Sequence, residues 1–215
     1  PEPSSVLLTC GQCHKQGAQY VQIEDQFTIN KSCGHMAGSS GEGKRITTAE
    51  EMIEGRLAPA VSYARSQDDF MIMARTDALA TSGFEEAIRR GHLYAEAGAE
   101  LLFIEAPVSE AQLRQIPQEF KGTGALTVAN MLEGSPKTPY KSPEELHAMG
   151  FQIGLYCIGS MLTSRATQER YFGLLARGQD VMRSADTRFE QWFEGFNTVI
   201  GRSQTEAWNR LFRGR

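Results

Sequence analysis

Short apolar runs alternate with longer amphipathic stretches along this chain of 215 residues. Most of the runs follow a Gly or an Asp, and their length predicts strands rather than helices. The five runs are Gln19–Glu24, Phe70–Arg75, Glu100–Glu105, Ala125–Asn130 and Gln152–Cys157. Near-continuous apolar strands separated by helices are typical of a parallel sheet covered by helices, so the pattern predicts an α/β fold.

Helix-start signals follow most of the predicted strands. A Ser or Thr followed three positions later by Glu or Gln predicts a capping box at the start of a helix. In a capping box the hydroxyl accepts from the backbone N–H of the later residue, and the later side chain accepts from the backbone N–H of the Ser or Thr. The four pairs are Thr48 with Glu51, Ser82 with Glu85, Ser109 with Gln112, and Ser142 with Glu145. Further helices are predicted over Ser5–Gln16, Leu162–Arg177, Asp186–Gly201 and Thr205–Arg213. The aromatic residues of the last three indicate packing or a subunit contact.

Composition and charge narrow the class of protein. With 40% hydrophobic and 22% charged residues, the chain is expected to form one soluble domain over residues 1–215. The formal net charge is −4 and no basic block is present, so nucleic acid is not expected as a partner. No apolar stretch approaches the roughly 20 residues of a membrane span. Four scattered cysteines indicate a reducing compartment, the cytoplasm, with mitochondria as the alternative in a eukaryote.

Four of the five predicted strands end in a charged or amide residue, which an apolar strand does not need. These residues are Glu24 with Asp25, Arg75 with Asp77, Glu105, and Asn130 with Glu133. Because the carboxyl ends of parallel strands share one face, we expect these side chains to converge on one pocket. A guanidinium fork among carboxylates suits an anionic substrate held together with a divalent cation.

A loop rich in Gly and Ser follows the first predicted strand and begins with KSCGH, residues 31–35. Positive charge on Lys31 and His35 would favour the thiolate of Cys33, which suits this thiol to transfer a proton or to act as a nucleophile. The glycines of residues 36–44 indicate a lid that closes over the pocket and excludes water.

Two other motifs are not assigned a function. Cys10 and Cys13 have the spacing of a haem-attachment, redox or zinc motif, but they lie inside a predicted helix, where two unlinked thiols are expected. Residues 38–45 match a phosphate-binding loop except at Arg45, where Ser or Thr would bind the metal ion. Nucleotide binding is therefore not expected.

The motifs together resemble the isocitrate lyase and phosphoenolpyruvate mutase superfamily. The matching segments, in the family order, are IEDQ at 23–26, KSCGH at 31–35, ARTDA at 74–78, FIEA at 103–106, and NM at 130–131 with KTP at 137–139. The resemblance implies a (β/α)8 barrel of the TIM type, of which about five βα units are evident. It also implies Mg2+ or Mn2+, a small anionic carboxylate substrate, and a homo-oligomer, a dimer or a tetramer, formed by the C-terminal helices of residues 159–215.

The resemblance further implies roles for individual residues. Those implied in catalysis are Cys33, Lys31, His35 and Glu105, with Cys33 as the acid/base on the carbon that becomes an enolate. Those implied in substrate binding are Gly34, His35, Arg75 and Asn130, and Glu24 is implied in the outer shell of the metal. The Cys-containing lid resembles the lyase branch, which cleaves isocitrate, 2-methylisocitrate or a related 2-hydroxy acid. Oxaloacetate hydrolysis or decarboxylation, and phosphonate chemistry, are the alternatives within the superfamily.

Three departures from the family pattern bear on this interpretation. The segment Ser4–Gln16 matches the helix after the third family strand, so the first three strands and their metal-binding carboxylates are expected before Pro1. Relatives often have Pro or Ser where Cys157 follows the last strand, and the lid contains an insertion at residues 39–43. The chain is therefore expected to be part of a longer polypeptide or, alternatively, a catalytically inactive remnant with an interaction role.

Overall fold

The computed structural model describes residues 2–29, 31, 33, 35, 44–184 and 188–212. The chain divides into two compact units, Pro1–Gly159 and Ser160–Arg215. The first unit contains all the described strands, and the second consists of helices. Most of the predicted lid, residues 36–43, lies outside the described residues. The single domain predicted over residues 1–215 stays a prediction.

The first unit is built on a parallel sheet of five strands in the order of the chain. The strands are β1 Tyr20–Glu24, β2 Met71–Thr76, β3 Leu101–Ile104, β4 Leu126–Asn130 and β5 Ile153–Leu155. Each coincides with a predicted apolar run to within two residues. The α/β class is confirmed, because helices join consecutive strands that pair in parallel.

The helices of the first unit connect and cover these strands. They are α1 Pro3–Lys15, α2 Ala49–Met52, a π-helical turn at Ile53–Leu57, α3 Ala58–Ala64, α4 Ala78–Ser82, α5 Phe84–Glu96, α6 Glu110–Glu119 and α7 Pro143–Met149. The other helices among the described residues are α8 Gly159–Ala176, α9 Val181–Ser184, α10 Phe189–Val199 and α11 Arg202–Phe212. No helix in the described part of the chain is long and apolar enough to cross a membrane.

Three of the four predicted caps form, two of them as complete capping boxes. The boxes at Thr48 and Ser142 are complete, with both side chains bonded to backbone N–H groups. Ser109 accepts from the N–H of Gln112, but the Gln112 side chain accepts from Val108 instead. The box predicted at Ser82 is wrong. Ser82 ends α4, and α5 begins after Gly83, whose φ of 92° is a conformation that glycine adopts readily.

Apolar side chains cover both faces of the sheet. On β2, Ile72 and Ala74 pack in the large cluster formed with the helices, whereas Met73 points to the opposite face. There it joins a smaller cluster with Leu101, Phe103 and Val128. Because side chains alternate along a strand, Arg75 shares this second face with Met73.

The helices of the second unit expose a large apolar surface. Neither α10 nor α11 has a buried residue. Their exposed apolar residues are Trp192, Phe193, Phe196, Val199, Trp208, Leu211 and Phe212. Such a surface is typical of an interface. The contact between subunits predicted for residues 159–215 stays a prediction.

Candidate active site

The register of the strands explains why their last residues meet. Glu24 lies beside Arg75, and Arg75 lies beside Phe103 on the next strand. Glu105 follows Phe103 by two residues and Asn130 follows Val128 by two, so alternation places all of them on the face away from the helices. The contacts of Arg75 with Glu24 and Glu105, and of Asn130 with Glu105, confirm the expected convergence of these four side chains. Glu133 instead accepts from the N–H of Ile158 at 3.1 Å.

Arg75 lies at the centre of this strand-end cluster, among three carboxylates. Its Nε donates to Oδ2 of Asp77 at 2.9 Å, and its Nη2 donates to Oδ1 at 3.1 Å, which is a bidentate pair. Nη2 is also 3.2 Å from Oε1 of Glu105, and Nε is 3.5 Å from Oε2 of Glu24. Burial opposes the charged form, but these carboxylates outweigh it and raise the pKa of Arg75 above its usual range. The guanidinium therefore remains a cation.

Asp77 joins Arg75 to a second cation, Lys44. The Lys44 ammonium donates to Oδ1 of Asp77, whose side chain is fully buried. Burial alone would raise the pKa of Asp77, but the hydrogen bonds and charges of Arg75 and Lys44 hold it below the ordinary value. Asp77 is therefore ionised at neutral pH and fixes both cations at the ends of the strands.

Glu105, His35 and Asn130 form the other side of the cluster. Nε2 of His35 lies 3.7 Å from Oε1 of Glu105, and Nδ2 of Asn130 lies 3.4 Å from the same ring nitrogen and 3.5 Å from Oε2 of Glu105. Burial, reinforced by Asp77 and opposed by Arg75, raises the pKa of Glu105. Burial and the charges of Lys137, Arg75 and Lys44 lower the pKa of His35, although Asp77 opposes this. His35 is therefore neutral at neutral pH.

Two further side chains contact His35 and Asn130. Oγ of Ser135 is 2.9 Å from Nδ1 of His35, and the Cys157 thiol donates to Oδ1 of Asn130 over 3.3 Å. Cys157, where the sequence departs from its relatives, is therefore adjacent to a residue predicted to bind substrate. Both ring nitrogens of His35 and both polar atoms of the Asn130 amide have neighbours inside the site.

The backbone next to Glu105 is strained. Ala106 has φ of 53°, the left-handed region, which a residue with a Cβ rarely adopts. Ala106 is buried at the end of β3 and directly follows Glu105. Strain of this kind persists only where the surroundings enforce it, and it is frequent at functional sites.

Asp25 does not join the strand-end cluster, although the sequence grouped it with Glu24. Its buried carboxylate faces the helices and accepts from the Thr76 hydroxyl at 2.7 Å, the N–H of Asp77 at 2.9 Å and the Tyr94 hydroxyl at 3.0 Å. Arg90 also donates to it at 3.1 Å. Through Thr76 and Asp77, Asp25 therefore fixes the end of β2 from the face of the sheet that the helices cover.

The residues of the predicted lid are placed only in part. The Lys31 ammonium lies 2.7 Å from Oε1 of Glu24, so Lys31 reaches the strand-end cluster. Cys33 is an exposed free thiol. Burial first, and then charges that include that of Cys33, raise the pKa of the Cys157 thiol beside Asn130. Gly34 lies outside the described residues. The roles assigned to Cys33, Lys31 and Gly34 stay predictions.

The described residues do not fit a magnesium site. Among them, no group of three His, Cys, Asp or Glu side chains comes together to hold a metal ion. Glu24, predicted in the outer shell of the metal, contacts Lys31 and Arg75. Mg2+ requires free oxygen ligands, whereas these carboxylate oxygens face cations.

Two residues of the site, Lys44 and Ser135, are not expected from the sequence. Lys44 ends the Gly-rich segment and lies 33 residues from its partner Asp77 in the chain. Ser135 lies 100 residues from His35, and no local pattern connects them. The alternation of strand side chains would have separated Asp25 from Glu24.

The fold and the site define an α/β protein with a charged cluster at the carboxyl ends of parallel strands. Residues 1–169 match the family model of phosphoenolpyruvate phosphomutase. The chain is 36% identical over 197 residues to 2,3-dimethylmalate lyase of Eubacterium barkeri, covering 92% of this chain and 63% of that protein. It is 34% identical over 213 residues to 2-methylisocitrate lyase of Escherichia coli K12, covering 94% of this chain and 68% of that protein.

A solved structure shows the same fold. Oxaloacetate acetylhydrolase in complex with 3,3-difluorooxalacetate superposes with a TM-score of 0.82 at 26% identity, covering all of this chain and 68% of the other. The chain belongs to the phosphoenolpyruvate phosphomutase family, as its motifs indicated. It spans 63% of the length of the dimethylmalate lyase that it matches.

Proposed function

We propose that this chain belongs to a carbon–carbon lyase that cleaves a small di- or tricarboxylic acid, such as isocitrate, 2-methylisocitrate or a related 2-hydroxy acid. The observation that carries the proposal is the strand-end cluster centred on Arg75, in a chain whose relatives include lyases of such acids. Cleavage of these acids builds negative charge on an enolate, and fixed cations in a buried site stabilise such charge.

Arg75 and Asn130 are the residues proposed to hold the substrate carboxylates. The described contacts of Arg75 use Nε and Nη2, which leaves Nη1 for a carboxylate oxygen of the substrate. Asn130 presents its Nδ2 to the same space, beside Glu105 and His35. The Lys44 ammonium adds positive charge on the other side of Asp77.

Cys33 is proposed to transfer the proton at the carbon that becomes the enolate, with Lys31 and His35 supporting it. The proposal rests on the family motif and on the exposure of the thiol. A lid that carries the proton-transfer group allows the substrate to enter before the reacting groups assemble. Mg2+ or Mn2+ remains part of the proposal by family resemblance only, and we assign it no step because the described residues do not form its site.

The experiment that tests the proposal is a turnover assay on a panel of 2-hydroxy and 2-oxo acids, with Mg2+ present. Cys33→Ser should lower turnover by at least about 100-fold, the low end for a positioned acid or base. Cys13→Ser on α1 is the matched control and should leave the rate unchanged. Full activity of Cys33→Ser would contradict the assignment of Cys33.

Hydrolysis of oxaloacetate is the second candidate function. The structural similarity to oxaloacetate acetylhydrolase supports it, and so does the polar thiol of Cys157 beside Asn130. Release of oxalate from oxaloacetate, without cleavage of any 2-hydroxy acid, would favour this candidate. Turnover of a phosphonate would instead indicate the phosphonate branch.

An inactive remnant with an interaction role is the remaining alternative. A calorimetric titration with Mg2+ separates it from a lyase, because the described residues alone offer no metal cluster. A remnant should show no saturable Mg2+ binding. Saturable binding would show that residues outside the described part complete a metal site.

The proposed enzyme would be a cytoplasmic homo-oligomer with a small anionic substrate.

A further inference from the structure

Two free thiols, Cys33 and Cys157, lie near the same side-chain amide of the site. The Cys157 thiol donates to Oδ1 of Asn130 over 3.3 Å, and Nδ2 of that amide lies 3.4 Å from Nε2 of His35. Cys33 precedes His35 by two residues. Because consecutive Cα atoms are about 3.8 Å apart, the Cα of Cys33 lies within about 8 Å of that of His35. The chain therefore tethers Cys33 close to the group that Cys157 contacts.

The electrostatic surroundings of Cys157 include Cys33. Burial raises the pKa of the Cys157 thiol first, and the charge of Glu133 second. The charges of Glu105 and Cys33 raise it further, against a backbone hydrogen bond that lowers it. Charges on exposed groups are largely screened beyond about 10 Å. An effect of Cys33 on Cys157 therefore requires a short distance between the two sulfur atoms.

The backbones that carry the two thiols differ in how firmly they are held. Cys157 follows the end of β5 by two residues, and the N–H of the next residue, Ile158, donates to Oε2 of Glu133 at 3.1 Å. Cys33 belongs to no helix or strand of the described residues. A disulfide requires Cα atoms within about 7 Å of each other. Cys33 can therefore approach Cys157 while β5 stays in place.

We propose that Cys33 and Cys157 form a redox modification site, at which a peroxide oxidises the two thiols to a disulfide within one chain. In a reducing compartment such disulfides are transient and typically serve in redox sensing or catalysis. The disulfide removes the thiol that is proposed to transfer the proton, so its consequence for turnover rests on the proposed function.

The oxidation takes two steps, with hydrogen peroxide as the oxidant. The Cys33 sulfur attacks one peroxide oxygen, the O–O bond breaks, and a sulfenic acid and one water form. The Cys157 sulfur then attacks the Cys33 sulfur, the S–O bond breaks, and the leaving hydroxide takes the Cys157 proton to form a second water. Two electrons pass from the two sulfurs to the peroxide, and a dithiol reverses the disulfide by thiol exchange.

The contacts of Cys157 favour Cys33 as the thiol that is oxidised first. Cys157 donates its hydrogen to Asn130, and burial raises its pKa. Both effects lower the amount of Cys157 thiolate, which is the form that attacks a peroxide. Cys157 is therefore suited to the second step, in which it reacts with the oxidised sulfur of Cys33.

The test is mass spectrometry of the reduced chain after treatment with hydrogen peroxide, alkylation in denaturant and digestion without a reductant. We expect a cross-linked peptide that joins Cys33 to Cys157, and an intact chain lighter by two hydrogens. Cys157→Ser should abolish the cross-link and leave on Cys33 a sulfenic acid that dimedone traps. Cys13→Ser, which removes a half-buried thiol on α1, is the matched control and should leave the cross-link unchanged.

Dilution of the protein separates a bond within one chain from a bond between chains. Two thiols held close together in one chain have an effective concentration of about 1 mM or more, well above that of a micromolar protein solution. The extent of cross-linking should therefore not depend on protein concentration. The proposal is overturned if the cross-link is absent, joins Cys33 to another cysteine, or decreases on dilution. Should Cys157→Ser fail to fold, Cys157→Ala provides the same comparison.

A turnover assay tests the consequence for the proposed enzyme, with each rate compared with that of the same untreated variant. Peroxide should lower the wild-type rate about 100-fold, the loss expected for Cys33→Ser, and dithiothreitol should restore it. In Cys157→Ser, excess peroxide should convert Cys33 to the sulfinic acid, which dithiothreitol does not reduce, so the rate should stay low. Full recovery of this variant would contradict the role of Cys157. Absence of turnover on every acid, with the cross-link present, would contradict the proposed function and leave the disulfide standing.

Discussion

Arg75 holds three carboxylates together, and its loss should destabilise the fold. Its side chain is 12% exposed, and Asp77 and Glu105 beside it are buried. Removing one partner of a buried ion pair leaves an uncompensated charge, at a cost of about 3–5 kcal/mol. We predict that Arg75→Met lowers the free energy of unfolding in urea by about 3 kcal/mol at neutral pH.

The matched control for Arg75 is Arg89, which pairs with Glu86 on the surface of α5. Because water screens that pair, Arg89→Met should change the free energy of unfolding little. An equally small effect of Arg75→Met would show that the carboxylates around it do not depend on its charge.

Glu105 should make stability depend on pH. Burial raises its pKa, so the fold favours the protonated form. The stabilisation that this provides is complete below the ordinary pKa of 4.5 and is lost as the pH rises through the folded-state value. Glu105→Gln is always neutral and loses nothing as the pH rises. We predict that its free energy of unfolding increases relative to wild type as the pH rises above 4.5.

Urea unfolding at several pH values measures this difference. Glu144→Gln, which removes a carboxylate on the surface of α7, is the control for a general change of charge. The lowered pKa of Glu144 predicts a trend with pH of the opposite sign. A difference between Glu105→Gln and wild type that stays constant with pH would contradict the raised pKa.

At the scale of the elements, two identical sequence signals lead to different structures. Thr48 and Ser82 each precede a Glu by three residues, yet only Thr48 caps a helix. We predict that Thr48→Ala lowers the free energy of unfolding by about 1 kcal/mol, the usual value of an N-cap. Ser82→Ala should leave it nearly unchanged. Equal losses would mean that Ser82 caps α5 after all.

The packing of α5 on α6 depends on a glycine. A Cβ added at Gly91 would lie 2.7 Å from Cε1 of Phe120, a buried ring at the end of α6. We predict that Gly91→Ala destabilises the fold by about 2 kcal/mol, because overpacking outweighs the gain in helix propensity. Gly55→Ala is the control, since beyond its chain neighbours and its own helix backbone no atom of the described residues lies within 4 Å of the added Cβ. Thermal unfolding of both variants tests this.

The elements could be predicted from the sequence to the extent that their signals are local. The apolar run Phe70–Arg75 predicts β2 because a buried parallel strand needs no polar residue. The end of α4 depends instead on the positive φ of Gly83, which competes with the box predicted at Ser82. The π-helical turn at Ile53–Leu57 has no sequence signature of its own.

At the scale of the whole molecule, the strand order made the site predictable. Parallel strands that pair in chain order have their carboxyl ends on one side of the sheet. Glu24, Arg75, Glu105 and Asn130 therefore come together there independently of the loop conformations. The partners supplied by loops could not be predicted, because Ser135 and Lys44 reach the site through tertiary contacts. The sequence therefore predicts the framework of the site but not the hydrogen bonds that orient it.

The exposed apolar surface of α10 and α11 leads to the prediction about assembly. Trp192, Phe193 and Phe196 are exposed to solvent on α10. Burying such residues stabilises by about 25 cal/mol for each Å2 covered, which favours association of copies of this chain. We predict that sedimentation velocity shows a dimer or a tetramer.

Substitutions on α10 test whether this helix forms the interface. Phe193→Glu with Phe196→Glu should shift the distribution towards monomer and leave the far-UV circular dichroism unchanged, because neither side chain is buried within the chain. Asn197→Glu adds a charge to the same helix without removing apolar area, so it should leave the assembly intact. If the double variant remains assembled, the subunits associate through another surface, and the aromatic residues of α10 have a different role.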